Sequence, residues 1–102
     1  MVYVDNFGEA TGRNFGRMSM SHLTADTTEE LLAMVDKIGV ARKWIQHPGT
    51  LGEHFDIALS KRALAIKAGA QAINFREYAL LIEERCAGAG VHYSRAHLTP
   101  KT

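Results

Sequence analysis

The sequence predicts an α/β or α+β fold: one small mixed sheet of about four to five strands covered by three helices, in the order β-β-α-β-(β)-α-β-α. Three observations lead there. Short β-prone runs alternate with amphipathic helical runs, two of the helical runs open on a capping signature, and the connections between runs are short.

The elements follow in chain order. "VYV" at 2–4 is β-prone and stops at Asp5-Asn6, which favour turns. Glycines at 8, 12 and 16 with polar residues between them mark 6–16 as a loop and a candidate lid. Its spacing is not that of a phosphate loop, since no Gly-Lys-Ser/Thr follows. "RMSMSHLT" at 17–24 alternates with period two, with Met18, Met20 and His22 on one face and Arg17, Ser19, Ser21 and Leu23 on the other. The first helix opens on a capping box of Thr27 and Glu30, repeats Leu31, Met34, Val35 and Ile38 along one face, and stops at Gly39.

"ARKWIQ" at 41–46 reads as a short strand presenting Trp44, either as a core aromatic or as a base-stacking platform between Arg42 and Lys43. A turn-rich "HPGTLGE" leads into extended "HFDI". A second helix runs from about Ala58 to Ala68, with Leu59, Ala63 and Ile66 on one stripe, Leu64 and Ala68 beside it, and Gly69 as its cap. "QAINF" is a strand, and Asn74 with Glu77 caps a third helix whose buried stripe is Tyr78, Leu81 and Ile82. The expected organisation is one compact domain over 1–87 and a loosely ordered tail over 88–102.

Composition narrows the function classes. Twelve Lys and Arg against eleven Asp and Glu give a net charge of +1, so general nucleic-acid binding through a whole-molecule field is not expected. No run reaches the roughly 18 apolar residues of a membrane span, and "MVYVDNFGEA" lacks the order of a signal peptide. The single Cys86 offers no intrachain disulfide and reads as a small apolar filler, which favours a reducing, cytoplasmic setting.

The chemistry concentrates around residues 54–62. In an extended segment, residues two apart share a face, so His54 and Asp56 stand side by side, an arrangement suited to a metal or a proton relay. The helix start that follows adds backbone N–H donors, the Ser60 hydroxyl and the cations Lys61 and Arg62, which together suit a phosphate-bearing ligand. The plainer alternative makes Asp56 or Ser60 a helix cap, His54 a loop residue, and Lys61 and Arg62 solvated charges. His22 ends the second strand, and Asp26 stands just before the first helix. Two histidines with one or two carboxylates would make a divalent-metal or acid/base site if His22 meets His54 and Asp56. No complete catalytic signature is present: no His-Glu-x-x-His, no Gly-x-Ser-x-Gly, no Walker lysine and no paired cysteines.

"GRMSMSHLTADTTEELLAMVDKIGVARKWIQ" followed by "HFDIALSKRALAIKAGAQAI" resembles a small family of uncharacterised proteins from bacteria and their phages, a domain of unknown function. The resemblance covers about residues 2 to 82. His22, Asp26, Glu30, Leu31, Gly39, His54, Asp56, Arg62, Gly69 and Ala70 stand at its pattern positions, and Phe55 occupies a place that is often Tyr. It implies a phage or bacterial cytoplasmic protein and supplies no reaction.

Three functional expectations result. The first is a binding module for a phosphate-bearing ligand, such as a nucleotide or nucleotide-derived signal, through His22, His54, Asp56, Ser60, Lys61 and Arg62, with a phage anti-defence role as its extension. The second is a metal-dependent phosphoesterase or nuclease, with His22, Asp26, His54 and Asp56 around a divalent ion and Lys61 or Arg62 on the leaving phosphate. The third is a phage inhibitor that binds a host protein through Trp44 and the glycine loop. A homodimer whose interface completes the site is compatible with each.

Overall fold

A central strand organises the sheet of the computed structural model, which describes residues 1–8, 14–15 and 18–101. Strand β1 (Val2–Val4) runs antiparallel to the end of β3 (Met18–Ala25), pairing Val2 with Ala25, Tyr3 with Thr24 and Val4 with Leu23. Strand β2 (Asn14–Phe15) pairs antiparallel with the start of β3. On the other edge of β3 lies β4 (Phe55–Ala58), also antiparallel, in a register that sets Met20 against Ala58, His22 against Asp56 and Leu23 against Phe55. Strand β5 (Gln71–Ala72) adds to β1 in parallel, so the sheet is mixed.

Helix α1 (Thr28–Ile38) forms where its signals place it. The Thr27 hydroxyl accepts the Glu30 backbone N–H at 3.2 Å, and Gly39 closes the helix at φ 75°, a left-handed conformation that glycine adopts without strain. Leu31, Met34, Val35 and Ile38 are buried against Val2, Val4, Leu23, Ala25, Phe55 and Ile57. Burial of such side chains stabilises by about 1.5–3 kcal/mol each.

Helix α2 (Leu59–Lys67) starts directly after β4, so the strand fixes its rotation. It turns Ala65 into the core, and the stripe expected to be buried is outside: Leu59 and Ile66 are 41% and 37% exposed, and Leu64 beside them is 46% exposed. The short side chain of Ala65 lets the helix lie close to the sheet, a steric demand that apolar periodicity does not encode. Residues 41–46 do not form the expected strand. Arg42–Trp44 is a single 3₁₀ turn, pinned to α1 by two bonds from Arg42 to Asp36 at 3.0 and 2.7 Å, and only Gln46 makes a bridge, to His54. Trp44 is 61% exposed with the Lys43 ammonium 5.0 Å from its ring centroid, so it is not a core aromatic.

Helix α3 (Phe75–Gly88) carries the full Asn74–Glu77 capping box and buries Cys86 with Leu51 and Ala96. Ala96 belongs to the segment read as a loose tail. That segment is tied down through its second half: Gly52 donates to the Ala96 carbonyl, Leu51 to the Thr99 carbonyl, and Lys101 sits 2.6 Å from the fully buried carboxylate of Glu53. A buried carboxylate calls for a cation and hydrogen-bond donors, and Lys101, Thr28 and the Gly49 N–H supply them. Most of the expected glycine loop, at 9–13 and 16, lies outside the described residues, as does Arg17 of the expected strand. Among the described residues, no helix is long and apolar enough to cross a membrane.

Candidate metal centre

The register between β3 and β4 puts His22 directly opposite Asp56, and the period-two alternation of the 54–56 segment puts His54 on the same face. One donor atom from each of these residues lies within 4.8 Å of the others. Asp56 Oδ1 is 3.4 Å from His54 Nε2 and 3.9 Å from His22 Nε2. Bonds of about 2.1 Å around a tetrahedral ion separate neighbouring ligand atoms by about 3.4 Å, so the trio is near ligating geometry as it stands.

The outer edges of both imidazoles are fixed by acceptors. His22 Nδ1 is 2.7 Å from Asp5 Oδ2, and His54 Nδ1 is 2.8 Å from the Gly52 carbonyl oxygen. A carboxylate and a carbonyl only accept, so the proton of each neutral ring sits on Nδ1 and the lone pair on Nε2. Both lone pairs then turn toward Asp56 Oδ1, a buried oxygen with no hydrogen-bond partner. Two lone pairs and a carboxylate oxygen converging on one spot repel one another unless a proton on one Nε2 or a metal cation lies between them, and a cation is the one that satisfies all three atoms at once. A carbonyl or carboxylate behind each ligating imidazole is the usual support of a metal-bound histidine.

The titration of the pair reflects the same field. Burial works against a charged His54, but Asp56, the Gly52 carbonyl and Asp5 outweigh it and hold the imidazole above its usual range. Burial likewise pushes the Asp56 carboxyl up, while His54, His22 and His47 draw it down further, leaving it below the usual carboxylate value.

Aromatic rings hold the site. Tyr78 stacks on His22 at 4.8 Å and 18°, and Phe7 leans on the same ring at 5.0 Å. Burial, with Asp5 and Asp56 nearby, pushes the Tyr78 phenol upward, so it stays protonated. A cleft of about 610 Å³ opens beside the two imidazoles, walled by α3 through Tyr78, Ile82 and Glu83 and by the 91–101 segment through Tyr93, Ser94 and His97. His97 stacks on His47 at 3.7 Å and 7° and approaches Gly52 so closely that a Cβ there would lie 2.3 Å from its Cδ2.

Of the residues expected at the site, the structure brings together His22, His54 and Asp56. Asp26 is four residues beyond His22, about 13 Å along the strand. There it accepts from the Tyr3 hydroxyl at 3.3 Å and lies 3.8 Å from Arg85. Ser60 makes no cap bond, because α2 has no side-chain cap. Lys61 reaches over Gly39 at the C-terminal end of α1, where a cation complements the helix dipole. Arg62 donates through Nε to the Asp5 carbonyl at 2.8 Å, which makes it a prop for the strand end that carries Asp5. Phe55 is fully buried in the α1 core, on the opposite side of β4 from Asp56, so a hydroxyl at that position would not face the centre. A second hollow of about 610 Å³ at the start of α1 contains Arg85 and Lys101, but Lys101 is bound to Glu53, and Arg85 donates to Thr24 and the Ala25 carbonyl.

Sequence reasoning passed over Asp5, which looks like a turn residue after "VYV". Its role depends on the pairing of Val4 with Leu23, which carries Asp5 alongside His22.

Comparison with known proteins agrees on the family. The family model described as "Protein of unknown function (DUF4031)" matches residues 2–85. The chain belongs to this family. No curated protein and no solved structure matches the chain. The match takes in every residue of the centre, Asp5, His22, His54 and Asp56, and stops before the 91–101 wall of the cleft.

Proposed function

We propose that the protein is a mononuclear metalloenzyme in which His22 Nε2, His54 Nε2 and Asp56 Oδ1 hold a divalent first-row ion that activates water against a small molecule in the adjoining cleft. The observation that carries this reading is the convergence of both Nε2 edges on a buried carboxylate oxygen that has no hydrogen-bond partner. Two imidazoles and one carboxylate suit Zn²⁺ or Fe²⁺, and three protein ligands leave a position for water. Held by His22, His54 and Asp56, such an ion would supply a water of lowered pKa and a Lewis acid for a carbonyl or phosphoryl oxygen. Asp5 and the Gly52 carbonyl would set the imidazole tautomers, and Tyr78 would hold the His22 ring in plane and offer a phenolic proton at the cleft.

The phosphate-bearing ligand expected from sequence drew on Ser60, Lys61 and Arg62. The positions of those side chains lend it less support than the metal centre receives, and a phosphoester substrate would rely on the ion itself for charge neutralisation. The free, buried Cys86 supports a reducing, cytoplasmic setting. The test is elemental analysis of the purified protein, followed by hydrolysis assays with ester, amide and phosphoester substrates before and after chelation. Bound metal near one equivalent, and activity that chelation removes and Zn²⁺, Mn²⁺ or Fe²⁺ restores, would support the reading. Metal-free protein that takes up none of these ions would end it.

A further inference from the structure

We infer that the cleft takes an uncharged or cationic small molecule with an apolar, preferably aromatic, body, which presents an oxygen or nitrogen donor to the ion, and that it disfavours anionic bodies. This inference rests on the metal centre proposed above. The walls carry the argument. Tyr78 and Ile82 on α3 face Tyr93 across a space of about 610 Å³, within the range that encloses a small ligand. Glu83 is the one Asp, Glu, Lys or Arg among the described residues lining the cleft. A rim carboxylate beside an exposed tyrosine face attracts a cation and repels an anion. Of the cations nearby in sequence, Arg62 is held on the Asp5 carbonyl, Arg85 on Thr24 and Ala25, and Lys101 on Glu53, and Lys61, Arg76 and Arg95 are not among the lining residues. Tyr93, Ser94 and His97 lie beyond the residues that the family model matches.

The experiment holds the metal-binding head constant and varies the body. Protein reconstituted with Co²⁺ is titrated with benzohydroxamic acid, its 4-aminomethyl form, its 4-carboxy form and acetohydroxamic acid, read by the visible d–d bands. The neutral and cationic aromatic compounds should bind about tenfold more tightly than the 4-carboxy compound. Glu83→Lys should reverse the order of the charged pair, and Tyr93→Ala should reduce the advantage of the aromatic compounds over acetohydroxamic acid. Equal or tighter binding of the 4-carboxy compound would overturn the charge preference, and equal binding of acetohydroxamic acid would overturn the apolar-body claim, with the metal centre intact in both cases. Failure of Co²⁺ to give bands at all would overturn the metal centre and this inference with it.

Discussion

Asp5 holds His22 twice: its carboxylate accepts the His22 backbone N–H at 2.7 Å through Oδ1 and the ring Nδ1–H at 2.7 Å through Oδ2. One buried side chain thus fixes both the strand register and the tautomer of a proposed ligand. In Asp5→Asn, one oxygen can still accept the backbone N–H, but the amide N–H₂ then faces Nδ1 and favours the tautomer with the proton on Nε2. Metal affinity should fall by about 10- to 100-fold while far-ultraviolet circular dichroism stays native. Unchanged affinity in this variant would remove Asp5 from the account.

Gly52 supplies the carbonyl that orients His54 and tolerates no side chain, since a Cβ would meet His97 at 2.3 Å. Gly52→Ala must displace the His97 wall or the 52–54 backbone. Urea unfolding should show a loss of about 1–3 kcal/mol, and metal affinity should drop with it. A variant of native stability and affinity would show that His97 can turn away without cost.

Much of the site was legible from spacing, and the rest depended on register. His54 and Asp56 could be paired because residues two apart in extended chain share a face, and His22 could be proposed as their partner from its place at the end of an alternating run. The capping boxes at Thr27 and Asn74 were readable because they are local. What decides the centre is not local: which strand lies beside β3, and at what offset, brings Asp56 opposite His22 and Asp5 beside it. The outward stripe of α2 and the turn at Arg42–Trp44 were misread for the same reason, since the rotation of a helix and the docking of a turn follow from contacts distant in sequence.

Glu53 gives a pH-dependent stability. Burial raises its carboxyl, but Lys101, Thr28 and the Gly49 N–H lower it further, for a net value below the usual range. A carboxyl depressed in the folded state contributes stability above its unfolded value, about 4.3, and that contribution is lost as pH falls through the folded value. Lys101→Met should therefore cost about 3–5 kcal/mol at pH 7 and progressively less toward pH 3, as the carboxyl takes up a proton. Urea melts at both pH values check this, and an equal loss at both would assign the effect to packing.

Isothermal titration of the metal-stripped protein with Zn²⁺ tests the central claim most directly, alongside His22→Ala, His54→Ala and Asp56→Ala. One ion per chain should bind, with a thermal midpoint that rises on binding, and both should be lost in each variant. No binding by the wild-type chain, or binding that survives all three substitutions, would contradict that claim.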